Sequence, residues 1–211
     1  MINKNTIDTD KLKEYCLVVG YFAALFSSTC FFFDAKQSVL FGITFQLPIG
    51  LTFFPITFAL CNIIQDKYGK RAANSLVATA FIFDTLLVFG GLFLAWLGDR
   101  NDYWTVFKDM YTIMMATWFF LGVSSVFNIA VYAYFKRKEP KNMFDIIFRF
   151  FVTITATELL TSLMSMPLMF YKHGLSGSII LTIVVVVLYK IIANIIITAI
   201  YGFSQSYGKQ I

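Results

Sequence analysis

Six apolar stretches, each about as long as a lipid bilayer core is thick, leave this chain few choices of fold. They run from Leu12 to Phe33, Ile43 to Ile64, Ser75 to Leu97, Ile113 to Phe135, Met143 to Tyr171 and Ser178 to Phe203. About 20 predominantly apolar residues cross the hydrocarbon region as a helix. The stretches are continuously apolar rather than alternating, and an open sheet in lipid leaves backbone groups unpaired, so strands are excluded. The expectation is an all-α, polytopic membrane protein with six transmembrane helices. No long linker or low-complexity segment divides it, so residues 1–211 read as a single integral membrane domain.

Composition carries the same message. Hydrophobic residues make up 58% of the chain and charged residues 14%, whereas soluble domains carry about 25% charged residues. This excludes a soluble globular enzyme, a disordered chain and a nucleic-acid-binding domain. The net charge of +5 lies in short clusters between the apolar stretches, which is a membrane-topology pattern rather than a polyanion-binding surface. Met1 to Lys11 is polar and the first stretch is long enough to span, so no cleavable signal peptide is expected.

The basic clusters set the expected orientation. Lys4, Lys11 and Lys13, then Lys67, Lys70 and Arg71, then Lys136, Arg137, Lys138 and Lys141, and finally Lys209 fall on one side. Lys36, Arg100, Lys108 and Lys172 fall on the other. Basic residues concentrate in the cytoplasm, so both termini are expected there, which requires an even number of spans. Two groups of three spans would have opposite topology, so a 3+3 inverted arrangement is compatible with the count. The third linker, Gly98 to Thr112, carries Trp104, Phe107 and Tyr111. It reads either as a short amphipathic surface helix or as an interfacial aromatic belt.

Ionisable residues inside these stretches need a reason, because each costs about 2.5–3.5 kcal/mol at a span centre on insertion scales. Asp84 lies near the middle of the third stretch, Glu158 of the fifth and Lys190 of the sixth, while Arg149 is two turns into the fifth. The three central charges should face one another or a watery cavity at the midplane, where secondary transporters hold substrate. An internal salt bridge that pins the helices together is the alternative, and Arg149 also suits snorkelling to headgroups.

Polar neighbours extend the pattern. Thr157, Glu158, Thr161 and Ser162 form one patch, and Asn194 follows Lys190 by four residues on the same helix face. Asn62, Gln65 and Asp66 end the second stretch, where they should line the mouth of a cavity. Ser124, Ser125 and Asn128 lie in the fourth. Pro48, Pro55 and Pro167 interrupt the second and fifth stretches, freeing carbonyls that need protein or water to meet them. The candidate substrate-binding residues are Glu158, Lys190, Asn62, Asp84, Asn128, Thr161 and Asn194. Carboxylate, amide and hydroxyl groups beside aromatics suit a flat ring with N–H donors, or an amino cation.

No nucleophile–base pair or metal motif is present, and Asn62 to Gly69 lacks the lysine–serine pair of a phosphate loop. The three cysteines, Cys16, Cys30 and Cys61, all lie in apolar stretches, and His173 is the single histidine. Neither an enzyme nor a cofactor or metal is expected.

The segment FPITFALCNIIQDKYGKRAANSLV, Phe54 to Val77, resembles the signature of the VUT family of queuosine-precursor transporters. Pro55, Thr57, Phe58, Asp66, Tyr68, Gly69, Lys70, Arg71 and Ala72 match that signature as they stand. The small-residue helix Ala116 to Arg137 and the lysine-bearing segment Leu188 to Gly202 are similar to the family's fourth and last helices, with Lys190 matching its lysine. Three positions depart from the pattern: Asn62, Asn128 and Thr161 stand where the family has Asp.

The resemblance implies a multi-pass transporter of the bacterial inner membrane that takes up a 7-deazaguanine (preQ0, preQ1 or queuine) for tRNA queuosine modification. Its partners would then be a purine-like small molecule, the lipid bilayer and, as a candidate, a second copy of the chain as a homodimer. The alternative is an S-component-like binding subunit of an ATP-driven vitamin or base uptake system.

Overall fold

A computed structural model describes residues 9–31, 35–40, 42–137, 140, 142–170 and 177–207. Lys4, Lys138, Lys141, Lys172, His173 and Lys209 lie outside these residues. Six α-helices and one hairpin follow in order: α1 (Thr9–Cys30), β1 (Ala35–Leu40), β2 (Ile43–Pro48), a 3-10 turn (Gly50–Phe53), α2 (Phe54–Tyr68), α3 (Lys70–Leu97), α4 (Asn101–Lys136), α5 (Met143–Phe170) and α6 (Gly177–Tyr207).

Among the described residues, four stretches of helix are long and apolar enough to cross a membrane: Lys70–Leu97, Trp118–Lys136, Met143–Ser165 and Ile180–Ser204. Each falls within one of the last four apolar stretches of the sequence or extends it by a few residues. The first two stretches differ. α1 opens on Lys11, Lys13 and Glu14. α2 has 15 residues and is about 22 Å long at 1.5 Å per residue, short of a core of about 30 Å.

What replaces the missing length corrects the expectation that strands are excluded. β1 and β2 pair antiparallel, from Ala35↔Pro48 to Leu40↔Ile43. Gly42 turns the hairpin at φ 76°, a region that glycine enters without strain. The hairpin is an excursion whose ends meet, because Gly50 N–H donates to the Phe31 carbonyl at 2.9 Å. It packs against α6 through β2. Non-helical backbone at membrane depth is tolerated where protein covers it, and pairing within the hairpin satisfies the N–H and C=O groups on the facing edges of its two strands. Pro48 ends β2, where no further ladder bond is needed, and Pro55 sits in the first turn of α2, where its absent N–H has no partner to lose.

The short α2 is the centre of the bundle. It packs against α1, α3, α4, α5 and α6, and nine of its residues are buried, among them Asn62 and Gln65. It ends at Gly69, whose φ of 87° and ψ of 173° let α3 begin one residue later. α4 runs 36 residues without a break, so the third linker shrinks to Gly98–Arg100. The aromatic segment beyond it is neither a separate surface helix nor a loop. It is the start of α4 packed on α3: Phe107 lies over Gly91, and Phe89 and Tyr111 meet edge to face at 5.5 Å. The linker between α4 and α5, residues 137–142, is too short for a counterpart of the α1–α2 hairpin, so the two halves differ in local structure.

Candidate functional site

Helix ends gather at one face of the bundle. α2 must leave its last carbonyls unpaired, and a cation there is favourable. Lys136, the last residue of α4, supplies it: Nζ lies 2.6 Å from the Asp66 carbonyl, 3.5 Å from that of Gln65 and 3.1 Å from Asp66 Oδ1. The end of α4 is served in the same way by Arg149 of α5, which donates to the Phe135 carbonyl at 3.0 Å. From α6, the Tyr201 hydroxyl donates to Asp66 Oδ2 at 2.9 Å, and its ring stacks on Phe150 at 4.2 Å. A cavity of about 300 Å³ opens beside this cluster, lined by Asp66, Tyr132, Phe135, Lys136, Pro140, Ile146 and Arg149.

Above the cavity the wall of α2 is sealed by side-chain bonds. Gln65 Nε2 donates to the Ile129 carbonyl at 3.0 Å. Asn128 Nδ2 donates to Asn62 Oδ1 at 2.8 Å, and Thr157 Oγ1 reaches Asn128 Oδ1 at 3.2 Å. Thr161 Oγ1 lies 2.8 Å from both Ser124 Oγ and the Thr157 carbonyl. Having one proton, it donates to the Thr157 carbonyl and accepts from the Ser124 hydroxyl. Asn62, Gln65 and Asn128 are almost wholly buried. Asp66 therefore lines the cavity, whereas Asn62 and Gln65 close it off and do not line an open mouth.

On the side of α5 that faces α6, at mid-length of both helices, Lys190 Nζ stands 2.6 Å from Glu158 Oε2, with side-chain exposures of 3% and 2%. The ammonium also donates to Ser162 Oγ at 3.0 Å and lies 5.6 Å from the centroid of the Phe54 ring. Phe54 opens α2, so the broken second span places a helix start and an aromatic face at the depth of the ion pair. Asn194 Nδ2 donates to Thr155 Oγ1 at 3.3 Å. The pair leaves acceptors over. Glu158 Oε2 meets the ammonium outside hydrogen-bond angles, and Glu158 Oε1 and Asn194 Oδ1 are buried with no hydrogen bond among the described residues. Glu158, Ser162, Lys190 and Asn194 surround a void of only about 10 Å³. That is room for one water at most.

Asp84 does not join them. It is buried on α3, beside Thr29 of α1 and Trp118 of α4, and α3 packs against α4, α2 and α1. The sequence places Asp84 at the right depth, but depth does not fix which neighbours a helix turns it towards. Six of the seven candidate residues thus form two adjoining layers, Asn62–Asn128–Thr161 and Glu158–Lys190–Asn194, bridged by the α5 patch. Arg149 binds a neighbouring helix end.

Sequence reasoning missed Phe54, Thr155 and Tyr201. Phe54 stood in the quoted motif as a plain apolar residue. Thr155 lies three residues before Glu158, within its helical reach, and was the one signal available.

A family model described as "Putative vitamin uptake transporter" matches residues 48–203, from the end of β2 through most of α6. The chain belongs to this family. The vitamin uptake transporter family is a family of transporters, not of enzymes, and its matched span contains every candidate residue of both layers. Membership and the four long apolar helices together make this a multi-pass membrane protein. The comparisons with curated proteins and with solved structures give no match.

Proposed function

We propose that this member of the vitamin uptake transporter family carries a queuosine precursor (a 7-deazaguanine such as preQ0, preQ1 or queuine) into the cytoplasm, and that the Glu158–Lys190 layer is its substrate site. In this reading the chain crosses the bacterial inner membrane six times. α1 and α2, joined by the hairpin, make the first two crossings, and both termini lie in the cytoplasm.

The observation that carries the proposal is the fully buried ion pair with spare acceptors beside it. A purine-like edge presents adjacent N–H donors. Glu158 Oε1 and Asn194 Oδ1 are acceptors in need of donors, and the Phe54 ring offers a stacking face. Ligand pockets measure about 300–1,000 Å³, so a void of about 10 Å³ belongs to a closed packing of α5 on α6. Substrate must part α5 from α6, exchanging the Lys190 contact for its own N–H bonds.

The test is uptake in a queuosine-auxotrophic bacterium lacking its own transporter, with queuosine in tRNA measured after each precursor is fed separately. Restoration by one precursor, lost in Glu158→Gln, is the expected result. No restoration by any of them overturns the substrate, and copurification with ATPase subunits would point to an energised binding subunit instead.

A further inference from the structure

We propose that Asp84 is a proton-carrying site, distinct from the Glu158–Lys190 layer, through which a proton gradient drives transport. The inference rests on the transporter reading above but not on the identity of the substrate.

Asp84 sits 14 residues past Lys70, at mid-length of α3, about 21 Å from that end at 1.5 Å per residue. It is 6% exposed, and its Oδ1 has no hydrogen bond among the described residues. Among the described residues no cation lies within ion-pair distance of it. This sets it apart from Glu158, which Lys190 neutralises, and from Asp66, which Lys136 neutralises. A buried carboxyl without a cation avoids the cost of an unpaired charge by binding a proton.

The neighbours favour that proton over a metal ion. Thr29 Oγ1 of α1 lies 3.2 Å from the Leu25 carbonyl and beside Asp84; with its proton on that carbonyl it turns lone pairs to the carboxyl. Those lone pairs accept from a carboxylic O–H but repel a carboxylate. Trp118 Nε1–H of α4 lies beside the carboxyl, a donor that either form of the acid accepts and that is hostile to a cation. Among the described residues, the Cys30 thiol of α1 is a further titratable group that interacts with Asp84. The charged residues of α2, Asp66 and Lys67, lie at its far end, next to the start of α3.

The position also links protonation to movement. Ala80, one turn before Asp84, belongs to the main apolar core. Val88, one turn after it, belongs to a separate cluster with Met110, Phe107 and Trp118. Asp84 is the polar rung between the two. Protonated, it lets α1 and α4 close on α3. Ionised, it needs water and therefore a gap between them. The proton enters from water on one side of the membrane and returns to water on the other, with no other bond made or broken. A ligand that prefers one of two packings shifts them by that preference.

The experiment uses the full chain in lipid vesicles. The infrared spectrum at neutral pH should contain a protonated-carboxyl C=O band that disappears in Asp84→Asn and persists in Asp84→Glu. With an acidic exterior, wild type should accumulate preQ1 at least tenfold over the outside concentration. Asp84→Asn should reach a ratio of one while still supporting counterflow, which needs no net proton movement. Should Asp84→Asn fail to fold, Thr29→Val serves instead, shifting the same band to the frequency of a non-bonded acid. A spectrum identical in wild type and Asp84→Asn, an unshifted band in Thr29→Val, or undiminished accumulation by Asp84→Asn overturns the proposal. Wild type that moves no precursor refutes the substrate assignment alone, because the infrared result needs no substrate.

Discussion

Lys136 Nζ reaches Asp66 twice, at 3.1 Å from the carboxylate and 2.6 Å from the backbone carbonyl, so one ammonium both pairs with a side chain and caps the central helix. The two side chains keep 47% and 32% exposure, so water screens the ion pair and its worth is at most about 1 kcal/mol. The cap adds about 0.3–1 kcal/mol. Lys136→Ala should therefore fold, with a stability loss below about 2 kcal/mol. Its larger effect should be on access. In a cysteine-labelling experiment, Asp66→Cys should react readily, whereas Asn62→Cys should react only when Lys136→Ala is also present. Equal rates for Asn62→Cys with and without Lys136→Ala would show that the contact does not help to hold the α2 wall closed.

Gly69 isolates a backbone effect. At φ 87° a side chain is strained, yet a Cβ there would meet no atom within 4 Å. Gly69→Ala should cost about 1–3 kcal/mol through the backbone alone, read as a lower thermal midpoint in detergent with transport retained in the folded fraction. A midpoint equal to wild type would mean that the α2–α3 turn relaxes without penalty.

The positions of the last four spans, and the facing charges on α5 and α6, were legible because both depend on depth, and depth is sequence count times rise. Azimuth is different. Nothing in a single sequence says that α3 turns Asp84 towards Thr29 and Trp118 rather than towards Lys190. The second stretch failed for another reason. Ile43 to Pro48 is apolar in either a helix or a strand, and its departure from helix depends on Gly42 turning the chain and on α6 supporting β2. Pro48 and Pro55 were visible as interruptions, yet they mark the end of one element and the start of another. Lys136 and Tyr201 read as members of a basic cluster and an apolar stretch, because their partner Asp66 lies 70 and 135 residues away.

Topology can be checked directly. Reporter fusions after Arg71, Lys138 and Lys209 should report cytoplasm, and fusions near Asn101 and Gly174 should report the outside. One site on the wrong side would break the six-crossing arrangement.

The buried pair distinguishes its own two roles through a double-mutant cycle. Glu158→Gln leaves the Lys190 ammonium in a nearly dry interior without its counter-charge, a loss of about 3–5 kcal/mol. Adding Lys190→Met removes the orphaned charge and should recover most of that stability. Transport should not recover, because the acceptors for the substrate are gone. If the double variant regains both stability and uptake, the pair only pins the helices together.

Lys190 itself is either a latch released by substrate or a substrate contact. Its three N–H groups have Glu158 and Ser162 within reach, and the void beside it is too small for any ring, so entry of a substrate must displace something. If the displaced contact is Lys190–Glu158, the energy of that ion pair is exchanged for substrate hydrogen bonds, and substrate then has different affinities for the closed and open packings. Lys190→Met removes the closing interaction and should leave a protein that inserts and binds preQ1 but is held in one orientation, with transport lost. Lys190→Arg keeps the charge but needs a wider space for its planar fork, so partial transport is expected. Binding by calorimetry and transport in vesicles, measured separately on each variant, decide between the roles. Binding without transport in Lys190→Met identifies a latch, loss of both identifies a substrate contact, and full transport excludes either one.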